Sequence, residues 1–237
     1  MAEYRSPYLT RTAEQTVALD EGLRAYMLRV YNYMASGVLL SGIVAYVVAN
    51  TGLAGVIFGT PLKWVVMLAP LAFVMVLSFG IHKLSTTAAQ ALYWVFAATM
   101  GASLASILIV FTGASVARVF FITSATFAAV SLYGYTTKAD LSKFGTFLFM
   151  GLIGIVLASV VNIFLGSSAL QFAISVIGVL VFTGLTAYDT QRIKEEYYEN
   201  HDHETMSKMS LMGALSLYLN FINLFTMLMN LMGTRDE

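Results

Sequence analysis

The chain has 237 residues, of which 58% are hydrophobic and 11% charged, against about 25% charged in an ordinary soluble domain. A water-soluble fold of this size could not cover its surface with so few polar side chains, so part of that surface must face hydrocarbon, which is as apolar as leucine. Thirteen basic and thirteen acidic residues cancel and cysteine is absent, which removes a global attraction to nucleic acid and excludes disulfides, iron–sulfur clusters and thiolate zinc sites.

In chain order, residues 1–23 read as a polar cytoplasmic N-terminal tail carrying Glu3, Arg5, Arg11, Glu14, Asp20 and Glu21, turning helical near Thr16. It holds no apolar stretch followed by a small-residue cleavage site, so no removable signal peptide is expected. Residues 24–237 read as a seven-helix transmembrane domain, since each span takes about 20 residues. The first span is expected over 25–50, entered by Arg24 and Arg29. A Gly/Pro-rich turn from Thr51 to Pro61 leads to the second, about 63–81, with Trp64 as an interfacial anchor. His82 and Lys83 close it. The third (88–111) and fourth (115–133) precede a polar loop with Lys138, Asp140 and Lys143. The fifth (144–165) joins the sixth (169–189) through a tight Gly166-Ser167-Ser168 turn. A loop over 190–208 holds most of the remaining charge, and the seventh span is expected over 209–232.

Small residues recur every four positions at Ala97, Gly101 and Ala105, and again at Ser124 and Ala128, a spacing that lets neighbouring backbones approach. Orientation follows from lysine and arginine. With the N-terminus inside, the inner segments hold Arg5, Arg11, Arg24, Arg29, Lys83, Lys138, Lys143, Arg192, Lys194 and Lys208. The outer ones hold Lys63, Arg118 and Arg235. That asymmetry puts the N-terminus in the cytoplasm and, after seven spans, the C-terminus outside.

Ionisable groups in a bilayer are costly, and each is a functional candidate. Asp189 is the one acidic residue at or within the apolar spans. Thr183, Thr186 and Asp189 share a helical face, as do Ser216, Asn220 and Asn223 on the next span, with Asn230 two turns further on. Two readings stand here: a polar path for a cation between the last two spans, or a headgroup aspartate beside Arg192 and Lys194 with asparagines as interhelical glue. Lys83, His82 and Arg118 fit snorkelling at helix ends. The run His201-Asp202-His203-Glu204 has no strong metal-ligand spacing and reads as a solvated loop. An enzyme is not expected, and no cofactor. Intramembrane aspartyl proteolysis needs two aspartates, a serine–histidine dyad would have only His82 near the bilayer, and no His-Glu-x-x-His occurs.

The stretch Ala187-Tyr188-Asp189-Thr190-Gln191-Arg192-Ile193-Lys194, followed by Leu217-Tyr218-Leu219-Asn220-Phe221-Ile222-Asn223-Leu224-Phe225, resembles the transmembrane Bax inhibitor motif family. Pro61-Leu62-Lys63-Trp64 resembles its bacterial members, and the likeness covers most of the chain from about residue 20. The resemblance implies an all-α, seven-helix bundle in a bacterial inner membrane, with the last helix enclosed by the others. It also implies a pH-sensitive calcium leak, in which two aspartates on the sixth and seventh helices share a proton and meet a basic residue on the second. Close carboxylates cannot both ionise cheaply, so such a pair holds a proton near neutral pH. The first aspartate matches Asp189 and the basic position falls near Lys83. Asn220 stands where the second aspartate belongs, and an amide cannot titrate. The resemblance therefore implies a weakened or displaced pH response, with calcium as the transported ion. A second implication is a stress-related regulator that binds a membrane quality-control protease or another membrane partner.

Overall fold

The computed structural model describes residues 13–197 and 202–236, with side chains placed from residue 21 onward. Glu3, Arg5 and Arg11 of the expected tail, and His201, lie outside the described residues. The elements are α1 (Ala13–Ala49), α2 (Leu53–Phe58), α3 (Leu62–Gly80), α4 (Thr86–Val110), α5 (Gly113–Thr136), α6 (Ser142–Leu165), α7 (Ser168–Glu196) and α8 (His203–Met232). No strand occurs among the described residues beyond an isolated bridge between Phe111 and Arg235. All except α2 are long and apolar enough to cross a membrane, giving seven spans. The chain is an all-α polytopic membrane protein.

Helix starts follow local chemistry. Ser85, Thr112 and Ser167 each accept from a backbone N–H of the first turn they precede, satisfying donors that a helix leaves unpaired. Asp202 does this for two amides of α8. Three boundaries depart from the sequence expectation. Helix α1 begins at Ala13, three residues before the helical start expected near Thr16. The Gly/Pro-rich turn contains the short helix α2. The loop expected over 190–208 is mostly helix, with α7 continuing to Glu196 and α8 beginning at His203. Charged residues there stabilise helix rather than break it. Arg192 pairs with Asp189 and Glu196, and Lys208 with Glu204, at i,i+3 and i,i+4 spacings.

Helix α8 is the axis of the bundle. Helices α1, α4, α5 and α7 pack on it, α6 packs on α7, and α3 packs on α4. The most apolar stretch of α8 is 67% buried in protein, against 6% for α6 and 11% for α3. Close approaches rest on two glycines. A side chain on Gly101 would strike the Ser41 backbone of α1, and one on Gly134 would strike the Ala187 backbone of α7. The stripe of Ala97, Gly101 and Ala105 is wholly buried, as its spacing predicts. The stripe of Ser124 and Ala128 is not used this way, since Ala128 is exposed and both residues line a gap between α5 and α1.

A buried polar knot ties α1, α4 and α8. Ser41 Oγ lies 2.6 Å from the carbonyl of Ala97 and 2.6 Å from Tyr218 Oη. Ser41 has one proton, which goes to a carbonyl, so Tyr218 donates to Ser41. At the far end of the bundle, Thr112 N–H donates to Thr234 O, and Asp236 N–H to Val110 O, which ties the C-terminal segment to the α4–α5 turn. The start of α1, the end of α7 and the start of α8 share the opposite end, where the Tyr26 ring packs at a tilt against Tyr197.

Candidate functional site

Helix α7 carries Asp189 about two turns before its end, and α8 carries Ser216 and Asn220 four residues apart on the face opposite. Asp189 is 6% exposed. Its Oδ2 accepts from Ser216 Oγ at 2.8 Å and from Asn220 Nδ2 at 2.7 Å. Its Oδ1 lies 3.0 Å from an Arg192 guanidinium nitrogen. The carboxylate thus points into the bundle and toward α8. Buried carboxylates demand such partners, because an unpaired charge in low dielectric is far more costly than a paired one.

Arg192 forms the rim. It is partly exposed, reaches Glu196 at 3.5 Å, lies over the Tyr188 ring at 5.8 Å, and comes within 3.4 Å of Ser216 Oγ. Asp189 opens on a cavity of about 480 Å³ among α6, α7 and α8, lined by Gly145, Thr146, Tyr188, Asn220 and Asn223 among others. Gly145 is part of that wall by necessity, since a side chain there would meet the Tyr188 ring. Asn223 faces the same cavity, but its amide donates to the Leu219 carbonyl of its own helix.

The site residues expected from the sequence separate into two groups. Asp189, Asn220 and Asn223 come together on this cavity. Lys83 and its neighbour His82 do not reach it: both are exposed in the turn between α3 and α4. Among the described residues, the ion pairs of Asp189 include Arg192 and neither of these two. The charge that faces Asp189 comes from its own helix, three residues on. Arg192 falls in the stretch expected as a loop, whereas α7 continues through it to Glu196 and gives it a direction. The legible signal was the Asp-x-x-Arg spacing, which puts the two on one face once the helix continues. Thr186 is wholly buried, and Asn230 is exposed away from the site. Arg118 is exposed on α5. In the histidine-carboxylate run, Asp202 caps α8 and Glu204 holds Lys208 at 2.7 Å. No cluster of three metal-ligating side chains occurs among the described residues.

A second polar chain runs behind the carboxylate. Tyr31 Oη and Ser131 Oγ are 2.6 Å apart, and Ser131 Oγ and Thr190 Oγ1 2.9 Å. It links α1, α5 and α7 next to Asp189. Gln191 straps the same end by accepting from Leu141 N–H and donating to Ala139 O.

Comparison with known proteins converges on one group. The family model described as inhibitor of apoptosis-promoting Bax1 matches residues 23–237. The inner membrane protein YbhL of Escherichia coli is 49% identical over 218 residues, covering 90% of this chain and 93% of YbhL. A protein of Rickettsia prowazekii is 45% identical over the whole of both chains. One from Caulobacter vibrioides is 48% identical, with 93% of each chain covered.

Proposed function

We propose, from the premise that this chain belongs to the Bax inhibitor family of integral membrane proteins, that it is a calcium-permeable leak whose gate is an arginine rather than a shared proton. The supporting observation is that the Asp189 carboxylate, open to a cavity, is held by Ser216, Asn220 and Arg192 and, among the described residues, by no second acid. A pair of aspartates would release its lock by losing a proton. Here Asn220 has none to lose, so the rim is opened by withdrawing Arg192, whose own second partner is the exposed Glu196. The excess of basic residues on the N-terminal side argues for a cytoplasmic N-terminus, placing Asp189 near the cytoplasmic mouth. No catalytic step is assigned to the site.

A second reading has one specific support. Arg192 neutralises Asp189 at contact distance, which suits a non-conducting protein that acts by binding a membrane partner such as a quality-control protease. Calcium flux into proteoliposomes across pH 6–8 separates the two. The leak reading expects flux from the wild type that changes little with pH, loss of flux in Asp189→Ala, and a new pH dependence in Asn220→Asp. A wild type that gates steeply near neutrality overturns the arginine gate. Flux no greater than from empty vesicles overturns the leak and leaves the partner-binding regulator.

A further inference from the structure

Helices α1 and α5 both lie against α8 but scarcely touch each other. Between them runs a slot open to the side of the bundle, in two stretches. The one nearer the N-terminal side has a volume of about 580 Å³, with Arg24, Met27, Tyr31, Phe127, Ala128 and Tyr135 in its walls. The second, about 490 Å³, continues along Met34, Val38, Ile43, Ser124 and Phe221. The hydrogen bond between Tyr31 and Ser131 bridges α1 and α5 within the first stretch.

We propose that this slot holds one anionic phospholipid from the leaflet on the N-terminal side, its phosphate against Arg24 and an acyl chain lying between α1 and α5. Three observations converge. The walls are apolar along their length and polar at one end, the pattern of a lipid rather than of a soluble ligand. That end is cationic: Arg24 is exposed, and Lys194 Nζ sits 2.8 Å from the carbonyl and 5.1 Å from the ring of Tyr135 in the same wall. Among the described residues, neither cation has a carboxylate within ion-pair distance. The length also matches. Ten residues of α1 separate Arg24 from Met34, a rise of about 15 Å, which is half of a hydrocarbon core about 30 Å thick. A single leaflet therefore fills the first stretch and ends where the second begins. The small residues Ser124 and Ala128, which line the two stretches, keep the slot wide enough for a chain.

Native mass spectrometry of the full chain, released from detergent after exposure to phosphatidylglycerol or to phosphatidylcholine with the same acyl chains, tests this. The wild type should retain one phosphatidylglycerol in preference to phosphatidylcholine. Arg24→Gln, at an exposed position, should weaken that preference about fivefold, what one cation near an anionic surface contributes. Ala128→Trp should remove retention of both lipids. A thermal melt without added lipid shows whether each variant is folded, and Arg24→Gln carries the test if Ala128→Trp is not. Equal retention of the two lipids by the wild type, an undiminished preference in folded Arg24→Gln, unchanged retention by a folded Ala128→Trp, or a lipid-free dimer in place of lipid adducts would overturn the proposal.

Discussion

Helices α6 and α8 invert the rule that holds in water. The most apolar stretch of α6 has a mean hydropathy of 2.5 and is 6% buried in protein, whereas that of α8 has 1.6 and is 67% buried. In a soluble fold the more apolar helix would be the core. In a bilayer, hydrocarbon solvates leucine and phenylalanine as well as the protein does, so no hydrophobic force sorts helices inward. Position is decided instead by what lipid cannot satisfy. Helix α8 carries Ser216, Tyr218 and Asn220, each bonded to α1 or α7. Helix α6 presents Phe147, Ile163 and Phe164 outward and loses nothing.

The sharpest way to break this contrast is to truncate the same side chain on each helix. Phe221 is 4% exposed and meets Phe127 and Phe120 edge-on at 5.6 and 5.7 Å, while Phe164 is 84% exposed. Removal of Phe221 leaves a cavity and forfeits packing contacts even where the transfer term is small. Phe221→Ala should cost about 3 kcal/mol. Phe164→Ala, exchanging ring for lipid, should stay within about 0.5 kcal/mol. Reversible unfolding in mixed micelles measures both, and equal losses would show that burial in protein gives no advantage over burial in lipid here.

A smaller effect is expected from adding atoms rather than removing them. Gly134 faces the Ala187 backbone with no room for a side chain, whereas Gly154 on α6 faces open space. Gly134→Val should lower stability by about 1–3 kcal/mol, the range for overpacking, because backbone cannot step aside as a flexible side chain can. Gly154→Val should leave the midpoint unchanged. If both variants melt together, the close α5–α7 contact does not hold the bundle.

The same physics explains what could be read from the sequence. The seven spans were legible because hydropathy reports contact with lipid directly, and the pairing of Asp189 with Asn220 because spacing put each on a polar face. The ends of α7 and α8 were not. Charges at Arg192, Glu196, Glu204 and Lys208 read as loop, yet outside the bilayer charge is compatible with helix when opposite signs fall a turn apart. Arg192 beside Asp189 is legible as a neighbouring charge, but its direction toward the carboxylate follows only once α7 continues as helix to Glu196. The place of Lys83 at the site rests on likeness to a family position alone, and the turn that carries it leaves it exposed. Hydropathy also marks which helices are apolar without saying which neighbour each one touches, so the slot beside Ala128 had no sequence signature distinct from packing.

The weakest expected effect lies at the polar mouth, where the contrast between regions ends. Asp202 is fully exposed, and hydrogen bonds from the Thr205 hydroxyl first, then from backbone amides, hold its carboxyl below the ordinary 3.8. A carboxylate with a depressed pKa in the folded state stabilises it above the unfolded value, and the contribution fades as pH falls through the folded one. The window is therefore below about pH 4. In hydrogen exchange corrected for intrinsic rates, the amides of Glu204 and Thr205 should lose protection as pH falls from 5 to 3, while those of Phe221 to Met229 keep theirs. Asp202→Ala should show the same local loss already at pH 7. If protection at Glu204 and Thr205 is unchanged at pH 3, the start of α8 is held by its burial against α1 and α7, and the cap is incidental.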